Sequence, residues 1–222
     1  DRAPKRIFDY ETDADNPTVV EARNINPYLV DSTSPAIVNH SRPLCDVPEI
    51  GIGNKPIDGG HYLFTPEERE EFIVCEPQAA QFFRRWVGSK EFMHRIERWC
   101  LWLGDCDPEL LRRMPYCMAR VEAVRAYREA SNSAAMKRLA STPRRFHVEF
   151  FPNSKYLIIP ETGSVNREYV PLGFMPPSVM ASNLVKVCEG ATLYHFGILS
   201  SVMHIAWLRQ IGGRLKSDPR YS

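Results

Sequence analysis

His147, Glu149, Asn153 and Lys155, followed after a short interval by Ser164, Asn166 and Arg167, are the residues of this chain best suited to reading another molecule. Their types are those that recognise base edges in a DNA groove: arginine and lysine donate to guanine, asparagine fits adenine, and carboxylates accept from cytosine. Each alone is an ordinary exposed polar residue, so the case rests on their crowding into residues 147 to 167. A second group, Arg128, Ser131, Lys137, Arg138, Lys216 and Arg220, has the chemistry to hold phosphates, which fixes position on a duplex without carrying sequence information.

The common catalytic constellations are missing. The chain has no G-x-S-x-G nucleophile elbow, no G-x-x-x-x-G-K phosphate loop and no H-E-x-x-H zinc motif. Glu149 is followed by Phe150 and Phe151, so the E-x-K end of a nuclease site is lacking, and Gly51-Ile52-Gly53 is too short for a dinucleotide loop. Asn26-Pro27-Tyr28 carries one proline where amino-methyltransferases carry two, and no glycine-rich turn precedes it. No catalytic residue and no cofactor is therefore expected within this chain. The six cysteines form no C-x-x-C pair and read as reduced core thiols, and no metal site is expected. His195 and His204 fall in an apolar helical stretch, where packing is the expected role.

A net charge of +1 hides an asymmetry. Residues 1 to 76 carry 15 acids against 7 bases, whereas residues 77 to 222 carry 12 acids against 21 bases. From Arg112 to Arg145 nine bases face only Glu122 and Glu129, a field that attracts polyanions unless it is merely a solvated helix face. No apolar run reaches the ~20 residues needed to span a bilayer, and the first residues do not resemble a signal peptide, so a cytoplasmic protein is expected.

The elements that must position these residues can be read from patterning. Extended segments are expected at Arg6 to Tyr10, Thr18 to Val30, Pro35 to Val38 and His61 to Phe64. Thr65-Pro66-Glu67-Glu68 forms a capping box for a helix ending near Cys75, and a short helix fits Gln78 to Val87. Arg98 to Leu103 reads as a buried strand. Asp107-Pro108-Glu109 opens the longest helix, with Leu110, Met114, Cys117, Val121 and Val124 inward and Arg112, Arg113, Arg120, Arg125 and Arg128 outward. Pro115 should kink or delay it. A further helix is expected at Ala134 to Ala140. Strands are expected at Phe146 to Phe151, Tyr156 to Ile159, Glu168 to Phe174 and Val179 to Val187, and a last helix from Thr192 to Ile211, ended by Gly212-Gly213.

The blocks RIFDYET, ARNINPYLVD, SRPLCDVPE, GNKPIDGGHYLFTPEE, FFRRWVGSKEF, RWCLWL, RVEAVRAYREAS and REYVPLGF, with the run from Ala191 to Ser222, resemble the MmeI-type bacterial DNA methyltransferases and fused restriction-modification enzymes, in the region that recognises the DNA target. The resemblance implies sequence-specific double-stranded DNA recognition for adenine-N6 methylation, with S-adenosylmethionine held by a catalytic domain elsewhere in the parent polypeptide, and in fused members cleavage as well. It also implies that relatives continue beyond the position of Ser222, so a cut piece is expected. Relatives carry a strand resembling F-x-E-x-R-x-P, whereas this chain has Phe146-His147-Val148-Glu149-Phe150-Phe151-Pro152 with Phe150 at the arginine position, which fits a different target sequence.

The expected fold is therefore α/β (mixed α+β). A connector occupies residues 1–106, a long amphipathic helix and spacer 107–145, and the recognition core 146–222 on a small mixed sheet. The expected partners are duplex DNA and the methyltransferase domain of the same polypeptide, in the bacterial cytoplasm at the nucleoid and without a membrane. The alternative is a scaffold that docks the catalytic domain without touching DNA, with Trp99, Trp102 and Trp207 as core or interface anchors.

Overall fold

The computed structural model describes residues 4–10, 15–26, 29–32, 43, 45–164, 166–216 and 218–221. They fall into two compact units, Asp1–Val47 with Arg209–Ile211, and Pro48–Leu208 with Gly212–Ser222. In the first unit β1 (Lys5–Asp9) pairs antiparallel with β2 (Thr18–Ala22). Beyond β2 the Asp31 carboxylate accepts the backbone N–H groups of Arg23 and Asn24 at 3.1 and 2.8 Å, so the longer strand expected to Val30 stops at Ala22. The strand expected at Pro35 to Val38 lies outside the described residues, as do Pro27 and Tyr28 of the Asn-Pro-Tyr motif.

The second unit begins with β3 (Gly51–Ile52) and β4 (Leu63–Phe64). Helix α1 (Pro66–Cys75) starts as its capping box dictates: the Thr65 hydroxyl accepts from Glu68 N–H, and the Glu68 carboxylate accepts from Thr65 N–H at 2.7 Å. The helix expected to Val87 gives way after a 3-10 turn at Pro77–Phe82 to β5 (Phe83–Val87). Phe83, Trp86 and Val87 are buried while Arg84 is exposed, and such an aromatic and β-branched run is better satisfied by strand pairing than by a helix. Short α2 (Ser89–His94), anchored by Glu91 accepting from Gly88 N–H, leads to β6 (Trp99–Leu101).

Pro115 splits the expected long helix into α3 (Pro108–Arg112), capped by Asp107, and α4 (Pro115–Glu129). Helix α5 (Ala134–Arg138) and a 3-10 turn at Leu139–Ser141 follow. Residues 146 to 151 do not form the expected strand; Val148 makes only a bridge with Lys55. Strands β7 (Tyr156–Pro160), β8 (Gly173–Met175), β9 (Val179–Ala181) and β10 (Val185–Glu189) complete the sheets. The strand expected from Glu168 thus shrinks to its end, and the one expected from Val179 to Val187 breaks at Ser182, whose side chain caps a turn by accepting from Leu184 N–H. The expected final helix is likewise two, α6 (Leu193–Leu199) and α7 (Val202–Ile211), because the Ser201 hydroxyl accepts from His204 N–H and starts a new N-terminus. The chain closes with a hairpin of β11 (Gly213–Leu215) and β12 (Asp218–Arg220).

Two four-stranded sheets result, β3-β10-β7-β8, antiparallel, and β4-β6-β5-β9, in which β5 and β9 run parallel. Strand β7 is buried along its whole length, and its alternation serves two cores. Leu157 and Ile159 pack with Ile205 and Leu208 of α7, whereas Tyr156 and Ile158 face Val87, Ala181 and Val187. The largest core gathers Tyr62, Phe64, Phe72, Phe83, Trp86, Trp102 and Phe146 with the inward stripe of α4.

Candidate functional site

The seven residues expected to read base edges hang from one rigid element, β7, but at three places. His147 and Glu149 lie in the loop before it. That loop is clamped by Asn54, which is fully buried: its amide accepts from Phe150 N–H at 2.8 Å and donates to the carbonyls of Phe150 and Ala181 at 3.1 and 3.0 Å. His147 is exposed and its backbone N–H donates to Lys55 O. Glu149 is the most constrained of the set, since its carboxylate pairs with Arg145 at 2.5 Å and accepts from Phe146 N–H at 3.1 Å. Asn153 and Lys155 are exposed just ahead of β7, where Glu189 accepts from Asn153 N–H and the Lys155 ammonium lies 5.2 Å above the Phe174 ring.

Ser164, Asn166 and Arg167 follow the far end of β7, roughly 16 Å away for a five-residue strand. Ser164 Oγ accepts from Asn166 N–H at 3.3 Å, tightening the turn, and Asn166 and Arg167 are exposed. The C-terminal hairpin fastens this loop: Gly163 N–H donates to Pro219 O, Tyr221 N–H donates to Glu161 O, and Arg220 gives two hydrogen bonds to one Glu161 oxygen at 3.0 and 2.7 Å.

The residues expected to hold phosphates divide more sharply. Lys137 and Arg138 project from α5, and Lys216 sits exposed at a left-handed turn position with φ of 57° between β11 and β12. Ser131 is occupied locally, accepting from Ser133 N–H and contacting the Met136 sulfur. Arg220 is exposed but ion-paired to Glu161. Arg128 departs from the expectation altogether. It has no exposed surface, and all five N–H groups are spent on carbonyls: Ile57, Leu139, Thr142, Pro56 and Arg145, at 2.7 to 2.9 Å. Burial pulls its pKa down while Tyr62 and Asp58 oppose the shift. No donor is left for a phosphate, so Arg128 belongs to the scaffold. Its position was legible, because Cys117, Val121, Val124 and Arg128 continue one buried stripe in steps of four and three.

Residues that the sequence did not single out build the supports: Asn54, and Arg144, which donates to Cys106 O at 2.9 Å. Nothing in the local sequence marks either. Among the described residues no group of three His, Cys, Asp or Glu side chains is placed to hold a metal. A Cβ on Gly53 would sit 2.3 Å from Ser182 O, so its bareness permits close backbone approach.

The described residues thus set polar loops on a buried sheet strand beside an arginine-rich helical flank. The chain belongs to the MmeI target recognition domain family, whose model matches residues 31–222. It is 35% identical over 199 residues to DNA methyltransferase A of Bacillus subtilis (strain 168), covering 90% of this chain and 23% of that protein. Its fold matches the Type IIL restriction-modification enzyme MmeI, solved in complex with DNA, with a TM-score of 0.92 and 42% identity over 100% of this chain and 30% of that one. The mixed α/β fold and the family resemblance are both borne out.

Proposed function

We propose that this chain reads a double-stranded DNA target on behalf of an S-adenosylmethionine-dependent, adenine-N6-specific methyltransferase of the restriction-modification type, in the bacterial cytoplasm. The observation that carries the proposal is the match along the whole chain to MmeI, whose structure contains DNA. His147, Glu149, Asn153, Lys155, Ser164, Asn166 and Arg167 are assigned to base edges, and Lys137, Arg138, Lys216 and Arg220 to phosphates, with Ser131 shaping the turn after α4. S-adenosylmethionine is assigned to the catalytic part of such an enzyme, and no residue here is assigned to it. The division into 1–106, 107–145 and 146–222 is kept as functional rather than structural, because strands from the first and last segments share both four-stranded sheets.

A second reading, docking of the catalytic domain, is favoured by one surface. Ala191 to Leu208 contains no Asp, Glu, Lys or Arg, yet Leu193, Tyr194, Ile198, Val202, Met203 and Trp207 are 45–82% exposed. Fluorescence anisotropy on labelled duplexes separates the readings. DNA recognition gives affinity at low salt that declines with a log–log slope of ~0.9 per phosphate contact. Absence of affinity at low salt, or affinity indifferent to salt, leaves only docking.

A further inference from the structure

Helices α3 and α4 and the turn at 141–145 enclose an open pocket of about 330 Å³, and four arginines line it, Arg112, Arg125, Arg144 and Arg145, against one carboxylate, Glu122. Their commitments differ. Arg145 is held by Asp105 and Glu149, and Arg125 pairs with Glu122 at 3.0 Å. Arg144 has given one N–H to Cys106 O, and Arg112, exposed at the end of α3, has no partner among the described residues. The pocket therefore presents two guanidinium groups with donors to spare, next to a third that has only a surface carboxylate to release.

The turn that carries Arg144 is fixed by two buried side chains of the scaffold. The buried Arg128 guanidinium takes the carbonyls of Leu139, Thr142 and Arg145, and the Tyr62 hydroxyl donates to Pro143 O at 3.0 Å. A segment locked at four carbonyls loses little freedom when a ligand arrives, which is what a preformed anion seat requires. Guanidinium forks pair bidentately with the oxygens of a phosphate, as they do with those of a carboxylate.

We propose that this pocket seats a backbone phosphate of bound DNA, held by Arg112 and Arg144 with Arg125 beside them. The proposal rests on the DNA-reading function and adds a contact on the helical flank, which borders the loop before β7 through the Arg145–Glu149 pair. The test compares the chain with Arg112→Ala, Arg144→Gln and the double variant in anisotropy titrations on several unrelated duplexes from low to moderate salt. Each single variant is expected to weaken binding to every duplex alike, roughly three- to tenfold, and to lower the salt slope by about one, with about two for the double variant. Arg112→Lys keeps the charge and is expected to keep the slope. Arg112 bears no structural load, so its variant reports on DNA even if Arg144→Gln unsettles the turn. Unchanged affinity and slope in Arg112→Ala, or a loss confined to one duplex sequence, overturns the seat while leaving the DNA-reading function intact. A parent chain that binds no duplex overturns both.

Discussion

Arg128 and Asn54 illustrate how far a residue's type can mislead about its task. Both are polar, both are fully buried, and each works by satisfying backbone groups that strands and helices leave unpaired. Arginine suits this task because five donors in a rigid fork can collect carbonyls from three segments at once, here 56–57, 139–142 and 145. Arg128→Met is therefore expected to lower unfolding free energy by about 3–5 kcal/mol, because several of the five buried carbonyls lose their donor at about 1–3 kcal/mol each. Arg128→Lys should recover little of it, since three donors cannot replace five. Urea unfolding of the three proteins measures this, and a loss below about 1 kcal/mol would show that the carbonyls find other partners. The same residue shows what the sequence made readable: spacing placed it on the buried stripe of α4, while its charge suggested the opposite face.

At the scale of elements, local chemistry was more legible than length. The capping box at Thr65, the proline break at Pro115 and the glycine stop at Gly212 act within a few residues, and the chain obeys them. Phe83–Val87, read as helix, became a strand because its partners β6 and β9 lie 12 or more residues away, beyond the reach of a periodicity argument. Residues 146 to 151 failed as a strand for a similar reason: Asn54, nearly a hundred residues upstream, takes both backbone groups of Phe150. The candidate site shared this fate, its residue types visible and its dispersal along β7 not. The C-terminal hairpin gives a measurable case of such long-range fastening, because Tyr221 hydrogen-bonds His204 on α7 through its hydroxyl. Burial holds the His204 pKa below its ordinary value of 6.5. As pH falls through 6.5 the unfolded chain takes up a proton that the folded chain still refuses, so this contribution is full above that pH and is lost below it. His204→Phe is expected to flatten the fall in unfolding free energy between pH 7.5 and 5.5, by less than the ~1.4 kcal/mol per pH unit that one proton allows. Parallel curves for both proteins would exclude His204 as the source.

For the molecule as a whole, the proposed assignments give holding and reading to different residues. The cations assigned to phosphates sit on α3, α5 and the 141–145 turn, with Lys216 and Arg220 on the C-terminal hairpin, whereas the polar side chains assigned to base edges sit on loops anchored to a strand buried on both faces. Phosphate contacts are the same for every sequence, and base-edge contacts are not, so the two regions should fail in different ways when altered. Charge reversal at Lys137 and Arg138 should weaken binding to all duplexes by a common factor and reduce the salt slope by about two. Asn166→Ala, on the loop after β7, should leave the slope nearly untouched and relax preference at one base pair by about 1–3 kcal/mol. Selection of bound duplexes from a randomised pool, followed by salt titration of the winners, reads both effects in one experiment. If reversal at Lys137 and Arg138 altered which sequences are selected, or if Asn166→Ala weakened all of them equally, holding and reading would not be divided along β7. The loop beyond Gly163 would then be one more phosphate contact, pinned in place by the Arg220 and Glu161 pair.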